Sequence, residues 1–386
     1  MKLLFLDHTT DLGGAQVSLL GLLETLDRSR YAATLSCPPG RLAERAEALG
    51  VPIVESHLPK ARAGRNPFAI ARRLAAGRAG VRSLTSSRRW DLVHANTLRT
   101  ALYASLVPLP ARPPLVWHVR DAAIPVLARR WLLHRCDAAI APSEYIAGLL
   151  GPSGKVRIVP NGLDVRSVPE KGAGLAFRRE FGIGPDTPVV GCLGRLLRWK
   201  GQHFFLDVAA RLAPRVPEAV FLVVGSDLYS DPRDDYAREL RRLAQGLGIE
   251  GRVLFTGQRE DPMAAASAMD VVVNCSKDEP FGRVLIEAMA CGRPVVAFRS
   301  GAVPEIVHEG VSGLLVRFGD TAGMAEAVLG LLRDRERGAA YGEAGRTRVA
   351  ARFSLQAATR GVEAVYAELA GEPRPEGGGR GQNGRE

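Results

Sequence analysis

Short runs of Val, Leu and Ile alternate with longer stretches of helical spacing along almost the whole chain. In the first half the apolar runs predict strands over 2–6, 33–37, 92–94, 115–118, 138–141 and 156–159. Helical spacing between them predicts helices over 15–26, 41–49, 68–84, 98–106 and 145–150. The second half predicts strands over 189–193, 220–224, 253–255, 271–274, 295–297 and 313–316. Its helices are predicted over 202–212, 236–246, 263–268, 283–290, 324–332 and 346–352. Alternation of this kind predicts parallel sheets with crossover helices, so each half reads as one doubly wound α/β unit. A chain of 386 residues is also too long for a single core.

Between the halves, Pro160-Asn161-Gly162-Leu163-Asp164 is turn chemistry and 165–174 is loose in composition, which makes this the candidate hinge. The expected division is a first domain over 1–164, a second over 165–352, a last helix within 353–370 and a tail over 371–386. The tail, GEPRPEGGGRGQNGRE, has no apolar residue, and its composition predicts disorder. The first strand runs into Asp11-Leu12-Gly13-Gly14-Ala15 rather than Gly-x-Gly-x-x-Gly, and no Walker A sequence occurs. A dinucleotide enzyme and a P-loop nucleotidase are thereby disfavoured. The acids of Asp231-Pro232-Arg233-Asp234-Asp235 sit in a polar loop and read as a helix start rather than a metal loop.

Composition adds a boundary to this picture. Hydrophobic residues make up 46% and charged residues 24%, as in a soluble globular protein. No apolar run approaches the roughly 18 residues that span a bilayer, and the apolar start is too short for a signal peptide. The five cysteines are widely spaced with no ligand pattern, so buried thiols of a cytoplasmic protein are expected, without disulfide or zinc. Charge is uneven. Residues 1–165 hold 22 Lys and Arg against 12 Asp and Glu, whereas 166–386 hold 30 against 29. The excess concentrates in 60–89, where Lys60, Arg62, Arg65, Arg72, Arg73, Arg78, Arg82, Arg88 and Arg89 occur without one acid. The first half is expected to prefer something anionic.

The segment Asp278-Glu279-Pro280-Phe281-Gly282-Arg283-Val284-Leu285-Ile286-Glu287 carries the most specific chemistry. Pro280 and Gly282 break the chain after a strand, and helical spacing then starts, so Glu279 belongs to a loop and Glu287 to the helix. A helix N-terminus between two carboxylates suits a nucleotide-sugar: phosphates at the N–H groups, hydroxyls at the carboxylates. The plainer alternative is a helix start whose Glu279 favours the dipole. In Gly194-Arg195-Leu196-Leu197-Arg198-Trp199-Lys200-Gly201, also after a strand, Arg195 and Lys200 can clamp a diphosphate or simply be exposed loop cations. Gly13-Gly14 opens a helix where backbone amides can approach a phosphate, or is a plain turn. His118, at the end of a strand and followed by Arg120 and Asp121, can hydrogen-bond a sugar hydroxyl or be structural.

Together these segments resemble the retaining glycosyltransferases of family 4, whose Glu-x7-Glu motif matches Glu279 and Glu287. The resemblance covers roughly 1–370 and is densest over 189–318. It implies a GT-B architecture: two doubly wound Rossmann-like domains facing across a cleft, with the terminal helix crossing back to the first. It implies a nucleoside-diphosphate-sugar donor, a hexose-type sugar, retention of configuration by front-face attack, and no metal or other cofactor, because cations take the metal's place. His118, Arg195, Lys200 and Glu279 would then be catalytic. Gly13, Gly14, Gly257, Arg259, Phe281, Gly282, Val284, Leu285 and Glu287 would bind donor, the Gly257–Arg259 stretch lying where the family's backbone holds the base. Arg120 and Asp121 would face the acceptor. The sequence departs from the family at Ala302, where Ser300-Gly301-Ala302-Val303-Pro304-Glu305 has alanine for a usual second glycine.

The basic segment 60–89 suggests a partner. Phe68, Ala71, Leu74 and Ala75 form an apolar stripe flanked by arginine, which suits an anionic membrane surface, the inner face of the membrane, or else packs on the sheet. Nucleic acid is not expected, since no aromatic platform accompanies the charge. Two rival functions share the architecture or the pocket: a nucleotide-sugar 2-epimerase and a non-catalytic nucleotide-sugar-binding scaffold.

Overall fold

The structure is a computed structural model that describes residues 1–59, 66–86, 88–108, 112–170, 172–226 and 235–372. Lys60, Arg62 and Arg65 of the basic segment, Asp231 to Asp234, and the tail from 373 lie outside the described residues. The chain forms two units, Met1–Gly162 joined by the segment from Leu355 onward, and Leu163–Ser354.

The first unit is built on seven parallel strands: β1 Lys2–Leu6, β2 Ala32–Cys37, β3 Ile53–Glu55, β4 Leu92–Ala95, β5 Leu115–His118, β6 Ala138–Ala141 and β7 Val156–Ile158. Their order across the sheet is β3-β2-β1-β4-β5-β6-β7. Leu3 to Leu6 are fully buried, as expected of a strand covered by helices on both faces. The helix Leu355–Leu369 belongs to this unit and packs along Gly14–Thr25, with Val362, Val365 and Tyr366 in the core beside Leu22, Leu23 and Tyr31.

The second unit holds six parallel strands: β8 Val189–Leu193, β9 Val220–Val224, β10 Val253–Gly257, β11 Val271–Asn274, β12 Val295–Arg299 and β13 Gly313–Arg317. Their order is β10-β9-β8-β11-β12-β13. Each sheet therefore reverses its winding once, between β1 and β4 in the first unit and between β8 and β11 in the second. Loops leaving the two strands at such a point diverge, and the crevice between them is where open α/β sheets bind ligands.

Several elements depart from the sequence expectation, the unpredicted four-residue helix Val303–Ile306 among them. The strand Ile53–Glu55 and the helix Val126–Arg135 were not predicted. The first is three residues long, and the second buries only Leu132 fully, leaving no apolar stripe to read. Helix Ala173–Glu180 begins inside the segment that reads as a hinge. Helix Arg335–Arg352 starts eleven residues before the predicted 346, since Gly338, Gly342 and Gly345 carry poor helix propensity. Those glycines serve packing: a Cβ on Gly342 would overlap the Gly292 carbonyl oxygen, and Gly345 lies against Met289.

The apolar stripe on Pro67–Ser86 also divides. Leu74, Val81 and Leu84 pack on the core, whereas Phe68 is 85% exposed and shares the outer surface with Ala71, Ala75, Arg72, Arg73, Arg78 and Arg82. No helix among the described residues is long and apolar enough to cross a membrane. Cys37, Cys136, Cys192, Cys275 and Cys291 are all free thiols, the first four buried.

Candidate functional site

In the second unit the loop after β8 and the loop after β11 meet across the switch point. Lys277 N–H donates to the Trp199 carbonyl at 2.7 Å, which ties the loops together. Gly201 sits at φ +73°, and a Cβ there would overlap the Cys275 carbonyl oxygen. On the other side, Gly301 at φ +59° lies against the Glu279 peptide with no room for a Cβ. Ala302 N–H donates to the Glu279 carbonyl at 2.8 Å, and Asp278 N–H to Ser300 Oγ at 2.8 Å. Asp278 itself adopts φ +52°, the one non-glycine residue with positive φ among the described residues. Strain of this kind is retained where the surroundings over-determine the backbone, often at functional loops.

This scaffold places Lys200 Nζ 2.7 Å from Glu279 Oε2, with both side chains largely buried. Lys200 also stacks 4.3 Å from the centre of the Trp199 ring. Helix Arg283–Ala290 follows the Glu279 loop, with Gly282 at its N-cap. One turn in, Glu287 pairs with Arg283 at 2.8 Å, an i,i+4 contact. Burial raises the Glu287 pKa above the ordinary carboxylate value, while Arg283 and then Lys200 oppose the rise. Two cations and two carboxylates thus share one buried cluster at the strand ends. Of the first-turn N–H groups, those of Leu285 and Ile286 donate to the Gly282 carbonyl, and that of Val284 has no partner among the described residues.

The other expected donor residues differ in what they can offer. Phe281 and Leu285 are core side chains, Phe281 edge-on to Phe353 at 5.8 Å, so only their backbone faces outward chemistry. The Arg195 guanidinium is exposed with no partner among the described residues. Arg198 is instead paired with Glu239 at 2.6 Å. Arg259 is held by Glu180 at 2.6 Å and Asp261 at 2.8 Å, leaving Gly257 and the strand-end backbone free of its side chain. Ala302 is buried at φ −81°, an ordinary conformation, so its departure from glycine carries no backbone cost.

In the first unit the corresponding residues flank the switch between β1 and β4. Asp7, after β1, is fully buried; its Oδ1 accepts from the N–H groups of His8 and Thr9, and its Oδ2 accepts from Asn96 Nδ2 at 2.7 Å and Gln16 Nε2 at 3.1 Å. Gln16 Oε1 in turn accepts the Gly13 N–H at 3.1 Å, which fixes the Gly13-Gly14 turn at the start of helix Gly14–Thr25. Arg120 donates from Nε and Nη2 to Asn96 Oδ1 and from Nη1 to Asn161 Oδ1 at 2.7 Å. His118 lies beside it, buried, and lines a small pocket with Ser18, Leu22 and Thr359. Asp121 is exposed.

Asp7, Asn96 and His94 carry no mark in the spacing of the sequence. All lie in or directly after β1 and β4, which is the signal that could have found them once the strand order is known. Arg283 was also assigned no role, although its spacing to Glu287 is legible. No group of three or more His, Cys, Asp or Glu side chains that could hold a metal occurs among the described residues.

Residues 12–167 match the family model described as Glycosyltransferase Family 4, and 187–334 match that described as Glycosyl transferases group 1. The GDP-mannose-dependent alpha-(1-6)-phosphatidylinositol monomannoside mannosyltransferase of Mycolicibacterium smegmatis is 33% identical over 293 residues, covering 68% of this chain and 74% of the relative. The chain belongs to glycosyltransferase family 4. The D-inositol 3-phosphate glycosyltransferase of Corynebacterium jeikeium is 37% identical over 243 residues, a match that covers 62% of this chain but only 57% of that relative. Among solved structures, Anabaena HepE in complex with UDP-glucose superposes with a TM-score of 0.83 at 27% identity, covering 96% of this chain and 100% of that one. This family 4 enzyme has the GT-B fold, and it is a glycosyltransferase.

Proposed function

We propose that this family 4 glycosyltransferase moves a hexose-type sugar from a nucleoside-diphosphate donor to an acceptor hydroxyl, with retention of configuration and without a metal. The observation that carries the reading is the buried cluster of Lys200, Glu279, Arg283 and Glu287 at the switch point of the second sheet. An ammonium has three donors, of which Lys200 spends one on Glu279. Those remaining, with exposed Arg195 and the Val284 N–H, suit the diphosphate. Glu279 would position sugar hydroxyls and Glu287 the ribose. Gly257, Gly282 and the strand-end backbone at Arg259 would line the donor, and Phe281 and Leu285 would contribute backbone only. In the first unit, His118, Arg120 and Asp121 would serve the acceptor side.

In front-face transfer the acceptor oxygen bonds to the anomeric carbon as the bond from that carbon to the phosphate oxygen breaks. The nucleoside diphosphate departs and takes up the acceptor's proton on that oxygen. Lys200 and Arg195 would stabilise the charge growing on the leaving group.

UDP-glucose is bound by HepE, and GDP-mannose is named for the mycobacterial relative, so the comparisons support a hexose nucleotide without choosing its base. The acceptor is proposed to be a glycan, glycolipid or small molecule, in keeping with relatives named for phosphatidylinositol mannoside and lipopolysaccharide core. The outward Phe68 and its neighbouring arginines support docking of the first unit on an anionic membrane surface from the cytoplasmic side.

Slow donor hydrolysis, with water as acceptor, tests the stereochemistry by proton NMR. An α-linked donor should release the α-sugar first; initial release of the β-sugar contradicts retention. A mass-neutral change of the donor would instead indicate an epimerase.

A further inference from the structure

Three buried side chains of the first unit form a hydrogen-bonded row, of which the proposed chemistry uses only His118. Tyr366, on the C-terminal helix, places its hydroxyl 2.6 Å from His94 Nδ1. His94 Nε2 lies 3.2 Å from His118 Nδ1. His118 Nε2 is buried and has no partner among the described residues, while its ring lines the small pocket beside Arg120. All three residues are 4% exposed or less. Phe5 packs on the His94 ring at 4.9 Å, and both ring nitrogens of His94 face Tyr366 and His118.

Each of the two contacts needs one proton, and the row can be filled in two directions. In one, the Tyr366 O–H donates to His94 Nδ1, His94 Nε2–H donates to His118 Nδ1, and His118 carries its own proton on Nε2. In the other, His118 Nδ1–H donates to His94 and His94 Nδ1–H donates to Tyr366. Each direction leaves one donor without a partner: in the first the Nε2–H of His118, whose ring lines the pocket, and in the second the Tyr366 hydroxyl, which has His94 as its one partner among the described residues and does not line that pocket. A donor beside the pocket can meet an acceptor that enters it, whereas a donor sealed in the core bears its full desolvation cost, so the first direction is favoured. Burial and the Arg120 charge also hold both imidazoles neutral, His94 down to about 3 and His118 well below its ordinary value.

We propose that Tyr366 sets, through His94, the tautomer of His118, so that His118 presents Nε2–H as a fixed hydrogen-bond donor. Tyr366 is then a positioning residue. Its helix is held in place by Thr25 to Thr359 at 2.5 Å, Asp27 N–H to Glu363 at 2.9 Å, and Arg157 to Glu368. The C-terminal helix thereby dictates that His118 meets an acceptor oxygen and does not serve as a base. That this oxygen belongs to a substrate rests on the proposed site; the tautomer does not.

The test is a two-bond proton–nitrogen correlation spectrum of the full chain labelled with ¹⁵N-histidine, assigned with His94→Gln and His118→Gln. The expected result is a protonated Nε2 and a bare Nδ1 on both His94 and His118 between about pH 6 and 8. Tyr366→Phe keeps the ring and removes the donor, and should turn His118 into a mixture of tautomers. A protonated Nδ1 on wild-type His118, or a tautomer untouched by Tyr366→Phe, overturns the proposal. The wild-type spectrum decides alone if that variant does not fold. Donor turnover by His118→Gln addresses the site separately: unchanged turnover removes His118 from the site and leaves the tautomer assignment standing.

Discussion

Lys200 and Glu279 are joined by a 2.7 Å ion pair that bridges the loops leaving β8 and β11, the two strands between which the second sheet reverses its winding. The first unit repeats the relationship with an amide in place of the ammonium, Asn96 donating to Asp7 across β1 and β4. In both, the sheet's topology brings distant segments together and a polar pair fixes their spacing.

Removing one partner of such a pair leaves a buried charge, which typically costs about 3–5 kcal/mol. Lys200→Ala should therefore lower stability and also lower turnover by roughly 10²–10³, the effect of losing one transition-state donor. The double variant Lys200→Met with Glu279→Gln should recover most of the stability and none of the turnover. Urea titration and donor assays separate the two effects, and full turnover in the double variant would remove Lys200 from the chemistry.

Glu287 gives a pH signature. Its pKa is raised by burial, so the folded state holds the proton more tightly than the unfolded chain. Its favourable contribution is complete below the ordinary 4.5 and is lost as pH rises through the raised value. The stability of wild type minus that of Glu287→Gln should accordingly swing against wild type as pH increases from about 4.5 toward 7. A difference that is flat in pH contradicts the burial of this carboxylate.

Gly301 holds the Glu279 peptide at positive φ with no space for a Cβ. Gly301→Ala should cost at least about 1–2 kcal/mol from conformation alone and displace Glu279, weakening donor affinity. Gly251→Ala, which has open space around it, should stay within about 0.5 kcal/mol of wild type. Equal behaviour of the two variants by chemical denaturation would show that the loop is not so constrained.

The outward arginines of Pro67–Ser86 predict binding to vesicles containing anionic lipid. Each is worth about 1 kcal/mol near such a surface. Changing Arg72, Arg73, Arg78 and Arg82 together to Gln should weaken sedimentation with vesicles at least about tenfold, without lowering the melting temperature. Unchanged binding leaves these side chains as a solvated face.

Much of this was legible in the sequence, for physical reasons that can be named. Buried parallel strands read as continuous apolar runs, so β1, β5, β6, β8, β9 and β11 appear with the predicted bounds. Gly282 and the following spacing fixed helix Arg283–Ala290, and with it the loop position of Glu279 and the helical position of Glu287. What stayed hidden depended on tertiary partners. The Lys200 and Glu279 pairing needs the strand order, which spacing does not encode. Helix Arg335–Arg352 hid behind glycines required by neighbours at Gly292 and Met289, and Tyr366 meets His94 from a segment 272 residues away.

A nucleotide-sugar site built on Lys200, Glu279 and Glu287 is open to a thermal-shift screen of the purified protein against nucleoside diphosphates and nucleotide-sugars. At about 100 times its dissociation constant a true donor should stabilise wild type by roughly 2.7 kcal/mol. The melting temperature should rise selectively with nucleotides of one base, and the shift should be lost in Glu287→Ala. No shift with any nucleotide, or an equal shift in the variant, would contradict such a site.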